Sequence, residues 1–235
     1  MLINATLIGI QVIVSLILMD RPVWQPKKSG KTMLGEFSEG FVYVRKAPVI
    51  GQIILMVAIA SLLVMPYNTV LPVFAKVIFK GGASTFGYIT SFVGVGALLG
   101  TIFIASRRPD THLRRILFVS TLLMGVGLIC FALIRNFPVA MLFAALTGFG
   151  GMTQYTICNI MVQSESEPHM RGRAIGIMLM AIFGMLPLGS LLVGAVSQRV
   201  GAPATVLGEG VISIVLALVF MESLISRSIR PSTIG

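Results

Sequence analysis

Seven apolar stretches of membrane-spanning length lie along the chain, at roughly Leu2 to Met19, Val49 to Phe74, Thr85 to Ser106, Ile116 to Ile134, Pro138 to Val162, Ala174 to Val196 and Ala204 to Ser226. Each is close to or above the ~20 residues a helix needs to cross ~30 Å of hydrocarbon. A water-soluble domain of 235 residues would not carry so many. The expected fold class is an all-α membrane protein with seven transmembrane helices, and the bilayer is its first partner.

The basic residues set the orientation. Of 18 Lys and Arg, 14 fall in alternate connections and the tail: Arg21, Lys27, Lys28, Lys31, Arg45, Lys46, Arg107, Arg108, Arg114, Arg115, Arg171, Arg173, Arg227 and Arg230. Only Lys76, Lys80, Arg135 and Arg199 fall on the other side. By the positive-inside bias, the first set is cytoplasmic, the N-terminus outside and the C-terminus inside. The net charge of +10 is then a topology signal, and no nucleic-acid partner is needed to explain it. Contacts of these residues with anionic headgroups, or a part in gating, stay open beside that reading.

One long polar connection divides the chain. Residues 1–19 read as a leading transmembrane helix, 20–47 as a cytoplasmic linker, 48–226 as a six-helix bundle and 227–235 as a cytoplasmic tail. The leading span has no basic n-region and ends in Asp20-Arg21-Pro22, so it does not read as a cleaved signal peptide. In the linker, Pro22 and Pro26 precede an amphipathic helix from Thr32 to Lys46, with Met33, Phe37, Phe41 and Val44 at helical spacing. That helix lies either at the cytoplasmic membrane interface or on the protein's own loops. Small-residue pairs at Gly96 and Gly100, Gly172 and Gly176, and Ser190 and Gly194 read as helix-packing devices. Gly148, Gly150 and Gly151 leave room for a bend in the fifth span.

Polar groups within apolar spans are the candidate functional residues, because hydrocarbon penalises them unless they face the bundle or a wet path. On the fifth span Gly148, Met152, Tyr155, Thr156, Asn159 and Gln163 share a stripe, which reads as a cavity wall or as interhelical hydrogen bonding. On the second span Ser61 and Asn68 share a face, and Pro66 and Pro72 bracket Tyr67 and Asn68. Proline there frees carbonyls and invites a break, either beside a substrate path or for packing alone. Glu209, between Gly208 and Gly210 near the outer end of the last span, reads as a proton-carrying acid or as an interfacial carboxylate.

Soluble-enzyme chemistry finds no footing. Cys130 and Cys158 sit inside apolar spans, and His112 and His169 sit in loops without a second ligand at helical spacing. No phosphate-binding glycine loop is present. No catalytic residue, metal site or cofactor is expected.

Loop motifs carry a resemblance. The run Gln163-Ser164-Glu165-Ser166-Glu167-Pro168-His169-Met170-Arg171-Gly172-Arg173-Ala174-Ile175-Gly176 resembles the connection between the tenth and eleventh helices of major facilitator superfamily transporters, especially the enterobactin-exporter-like branch. Glu36 to Arg45 is similar to the central-loop helix of that branch, and Met65-Pro66-Tyr67-Asn68 with Leu71-Pro72 to its seventh helix. Gly184, Pro187, Gly189 and Gly194 are similar to its eleventh-helix pattern. After the eighth helix the family repeats a glycine-flanked Asp-Arg theme. Here Asp110, Arg114 and Arg115 are kept and the glycines are not.

The resemblance covers helix six, the central loop and helices seven to twelve. It implies a six-helix half-bundle behind one leading helix, and a missing N-terminal half as partner. It further implies a secondary transporter of the cell (inner) membrane, exporting small amphipathic molecules such as a siderophore or drug in exchange for protons. Ser61, Tyr67, Asn68, Tyr155, Thr156 and Asn159 would line the pathway, Glu209 would couple protons, and Asp110, Arg114, Arg115, Arg171 and Arg173 would serve the cytoplasmic loops. A non-transporting membrane scaffold and a dimeric carrier are the alternatives.

Overall fold

In the computed structural model, residue 14 and residues 33–107 and 112–228 are described; side chains at 33–38 and 221–228 are not. The leading span, the linker up to residue 32, Asp110 and the last seven residues thus lie outside the described part, apart from Val14, which is helical. The chain divides into two units, Met1–Met33 and Leu34–Gly235, and the second unit carries the helical bundle.

Every described element is helical. Helix α1 covers Met33–Lys46 and α2 covers Pro48–Leu63, followed by a 3-10 turn at Met65–Thr69, the short α3 at Leu71–Val73 and a π-helical turn at Phe74–Ile78. Then come α4 (Ala83–Ala105), α5 (Leu113–Leu133), α6 (Phe137–Glu165), α7 (Arg171–Val200) and α8 (Ala202–Ser228). Six spans among the described residues are long and apolar enough to cross a membrane, the first being the whole run Pro48–Ile78. The all-α membrane fold expected from the sequence is the observed one.

Local signals explain the helix ends. Pro48 sits in the first turn of α2, where its missing N–H costs nothing, and the Asn136 side chain caps α6 by accepting from the Val139 N–H at 3.4 Å. A single residue, Gly201, joins α7 to α8 with φ of 87°, a conformation that favours glycine.

Glycine seams hold the helices together. A Cβ at Gly96 would collide with the Ala145 carbonyl oxygen, and one at Gly148 with that of Val93, so α4 and α6 touch backbone to backbone. Gly127 and Gly150 bring α5 close to α6 as well, though with less overlap, Gly125 and Gly210 bring α5 to α8, and Gly189 seats α7 on Leu62 and Pro66 of the first span. Where apolar solvent surrounds the helices, close van der Waals packing of this kind is the main attraction between them.

The glycines at 148, 150 and 151 lie inside α6, which is helical throughout, and at 148 and 150 they make room for its neighbours. Two expectations need correcting. Gly172, Gly176 and Gly194 meet nothing within 4 Å of where a Cβ would stand, so only Gly96 and Gly100 of the expected small pairs pack. On α1, Phe41 is exposed while Val44 is buried, so those two do not share one apolar face.

The first span breaks where the prolines predicted. α2 ends one residue before Met65-Pro66, and the chain turns through 3-10 and π geometry before the span is complete. An aromatic cluster steadies the far end, with ring centroids of Phe74 and Phe131 4.9 Å apart and of Phe79 and Phe137 5.2 Å apart.

Candidate functional site

The broken segment faces α6 across a cavity of about 260 Å³. Met65, Tyr67 and Asn68 line one wall, and Thr147, Gly148, Gly151, Met152 and Tyr155 line the other. Val93 and Ala97 of α4, Met124 of α5 and Leu186 of α7 close the remaining sides. The two stripes singled out in the sequence therefore meet, through Tyr67 and Asn68 on one side and Gly148, Met152 and Tyr155 on the other.

Each wall is built for its place. Because the 3-10 turn ends the regular helix, the Asn68 amide can donate to the Met65 carbonyl at 3.3 Å while remaining exposed. Tyr67 beside it is buried. On α6 the Thr147 hydroxyl donates to the Phe143 carbonyl at 2.9 Å, which satisfies it within its own helix and leaves an apolar surface. Gly151 keeps the middle of that wall low, since a Cβ there would only reach van der Waals contact with Met124. The described lining is thus thioether, phenol, amide and hydrocarbon, with no charged side chain.

Three expected pathway residues stand away from this cavity. Ser61 is fully buried in the packing of α2, its hydroxyl pointing at the Met65 sulfur 3.8 Å away. Thr156 donates back to the Met152 carbonyl at 2.8 Å, and the Asn159 side-chain oxygen accepts from Gln163. Both lie on α6 beyond the cavity wall. Met65, Met124, Val93 and Leu186 escaped a search keyed on polarity because nothing in an apolar residue's own sequence says it borders a void.

Glu209 is drawn into the bundle: it is 3% exposed on α8, and neither carboxylate oxygen has a hydrogen-bond partner among the described residues. The neighbouring seam explains its burial: Gly210 packs on Gly125, and the Ser213 hydroxyl donates to the Thr121 carbonyl at 3.0 Å, drawing this part of α8 into the bundle.

The basic end forms a second assembly. Arg173 pairs with Glu39 of α1 at 3.1 Å, and the Arg171 Nε donates to the Ser166 carbonyl at 3.3 Å. The Glu167 N–H donates to the Tyr43 hydroxyl at 3.1 Å, tying α1 to the connection between α6 and α7. Arg114 lines a hollow of about 260 Å³ with His112, Ser164 and Glu165, while Arg115 is exposed. Among the described residues no three His, Cys, Asp or Glu side chains come together as metal ligands would.

Residues 2–229 match the family model of transmembrane secretion effectors, a branch of the major facilitators. The chain belongs to that family. Among related major facilitators, the chain is 26% identical over 190 residues to the multidrug efflux pump Tap of Mycolicibacterium fortuitum, a match covering 80% of this chain and 46% of the pump. It is 26% identical over 166 residues to the staphyloferrin A transporter of Staphylococcus aureus, covering 69% of this chain and 41% of that transporter. The Tap pump of Mycobacterium tuberculosis is 27% identical over 121 residues, or 52% of this chain and 29% of the pump. The chain thus spans under half the length of the major facilitators it matches.

Proposed function

We propose that the chain is the C-terminal portion of a proton-coupled exporter of small amphipathic molecules, a drug or a siderophore. The cavity between the broken first span and α6 carries the reading: it unites backbone freed from regular helix with an uncharged, adaptable lining, as a carrier's half-site requires. Tyr67, Asn68 and Tyr155 are its substrate contacts. Glu209, buried on α8 with both oxygens unpartnered among the described residues, is its proton site. Arg114, Arg115, Arg171 and Arg173, with Asp110, serve the cytoplasmic loops, in a cell (inner) membrane with the N-terminus outside and the C-terminus inside.

A second half belongs on the flanks of α4 and α7. Leu98, Leu99 and Ile102 on α4, and Phe183, Leu188 and Leu191 on α7, are exposed. Gly87, Gly94, Gly184 and Gly194 on the same helices meet nothing, so that another helix can come close. The preceding half of the same carrier is the partner those flanks suit.

Export is tested in everted membrane vesicles containing the chain together with its in-frame upstream sequence. Energised vesicles are expected to accumulate ethidium, and Tyr67→Ala and Tyr155→Ala to slow accumulation about tenfold, as loss of aromatic contacts worth about 1–2 kcal/mol would. Normal uptake by both variants at normal expression would remove the cavity from the pathway. Absence of uptake of every probe by the unaltered protein favours the scaffold reading.

A further inference from the structure

Helix α1 has two faces, and the contacts it makes with the described residues lie on one of them. On the inner face Glu39 pairs with Arg173, the Tyr43 hydroxyl accepts from Glu167, and Gly40 leaves so little space that a Cβ would lie 3.1 Å from Ile177. Val44 is buried over Gly51, whose Cβ position lies 3.1 Å from the Val44 carbonyl oxygen. These contacts fix the rotation of α1 about its axis.

The rotation turns Phe41, Val42, Arg45 and Lys46 outward together, since positions i, i+1, i+4 and i+5 share a helical face. Phe41 is 58% exposed and Val42 47%, and both basic residues are exposed. Of the two acids of α1, Glu36 and Glu39, Glu39 is engaged on the inner face by Arg173. An exposed phenylalanine and valine beside two cations is a poor surface for water.

Its height is also fixed. Only Ala47 separates Lys46 from Pro48, the first residue of a membrane span, and one residue reaches no more than about 3.5 Å. The Ala47 N–H donates to the Tyr43 carbonyl and the Gly51 N–H to the Ala47 carbonyl, each at 2.9 Å, while the extended Ala47 backbone (φ −98°, ψ 91°) interrupts the helix. So α1 leaves the span where hydrocarbon gives way to headgroups. Apolar side chains at that depth enter the acyl boundary, and Arg and Lys reach phosphate.

We propose that the outer face of α1 is a binding surface for anionic phospholipid, with Arg45 and Lys46 on the phosphates and Phe41 and Val42 among the upper acyl carbons. The same helix then joins the headgroup layer to the α6–α7 connection through Tyr43 and to the first turn of α7 through Glu39.

The test uses the full chain with Trp24→Phe, which removes its one tryptophan, and Phe41→Trp as reporter. It is reconstituted into phosphatidylcholine vesicles containing a minority of phosphatidylglycerol, with tail bromines placed on one lipid or the other at equal total bromine. Quenching is expected to be several-fold stronger with brominated phosphatidylglycerol, since each cation is worth about fivefold in local enrichment of anionic lipid. The preference should vanish in Arg45→Gln/Lys46→Gln. It should also fall in high salt with both residues intact, a readout that holds even if the double variant misfolds. A tryptophan at Leu55, an exposed position on α2, sets the scale for plain lipid contact. No quenching at position 41 would place α1 off the membrane, and equal quenching by both lipids would leave it without headgroup recognition; either overturns the proposal.

Discussion

Glu209 occupies a place where its chemistry costs stability. A buried polar group left without a partner costs about 1–3 kcal/mol, more if charged, and both its oxygens are in that position. Glu209→Leu, close in size, is therefore expected to raise the thermal unfolding temperature of the chain in detergent. A fall would mean that the carboxylate has a partner in solution. If the proposed proton role is right, Glu209→Gln removes the pH dependence of vesicle uptake while the protein stays folded, and an unchanged pH profile would exclude this residue from coupling. The glycines make a paired prediction at the same scale. Gly148→Ala drives a methyl group into the Val93 backbone and should destabilise by about 1–3 kcal/mol, whereas Gly151→Ala meets only the Met124 thioether at ordinary contact distance and should be nearly neutral. Chemical denaturation in mixed micelles, read for both variants, checks the difference; equal losses would mean that helix propensity and not packing sets the cost.

The break in the first span was legible in Pro66 and Pro72, because a ring without an N–H cannot continue a helical ladder. Its form was not. Whether the chain answers with 3-10 or π geometry depends on what receives the displaced backbone, here Gly189 of α7 against Leu62 and Pro66, more than 120 residues away. Pro66→Ala should let α2 grow toward Thr69, slowing amide exchange between Val64 and Val70; unchanged exchange would show that α7, and not the ring, imposes the turn. Helix α1 tells the same lesson in reverse. Its apolar spacing announced an amphipathic helix, and the helix is there, but its inner face is chosen by Glu167, Arg173 and Ile177, which local periodicity cannot see. The stripe on α6 borders the cavity as far as Tyr155, where a cavity wall and a helix repeat share a period. Beyond it, Thr156 and Asn159 turn to partners on their own helix, and polarity alone did not separate the two cases.

For the molecule as a whole, membrane class and the number of apolar helices after the linker were open to direct reading, since hydrocarbon thickness and backbone hydrogen bonding leave few alternatives. Which flanks stay unfilled was not, because open and packed glycines look identical in a sequence. If a second half docks on α4 and α7, a cysteine placed at Gly184 or Gly194, in a background lacking Cys130 and Cys158, should crosslink to that half in membranes. A cysteine at Ser213, held inside the bundle, should not, and crosslinking without regard to position would argue against a defined interface. The glycine seams also have a mechanical consequence. They rivet α4, α5, α6 and α8 into one slab, each helix tied to the next by backbone contact, and they pin α2 separately to α7 at Gly189. Sliding any one helix of the slab alone shears a rivet, whereas the α2–α7 pair shares no glycine rivet with the slab and meets it through softer side-chain contacts such as the Phe74 and Phe131 rings, so the seam between pair and slab is the one that parts without tearing backbone from backbone.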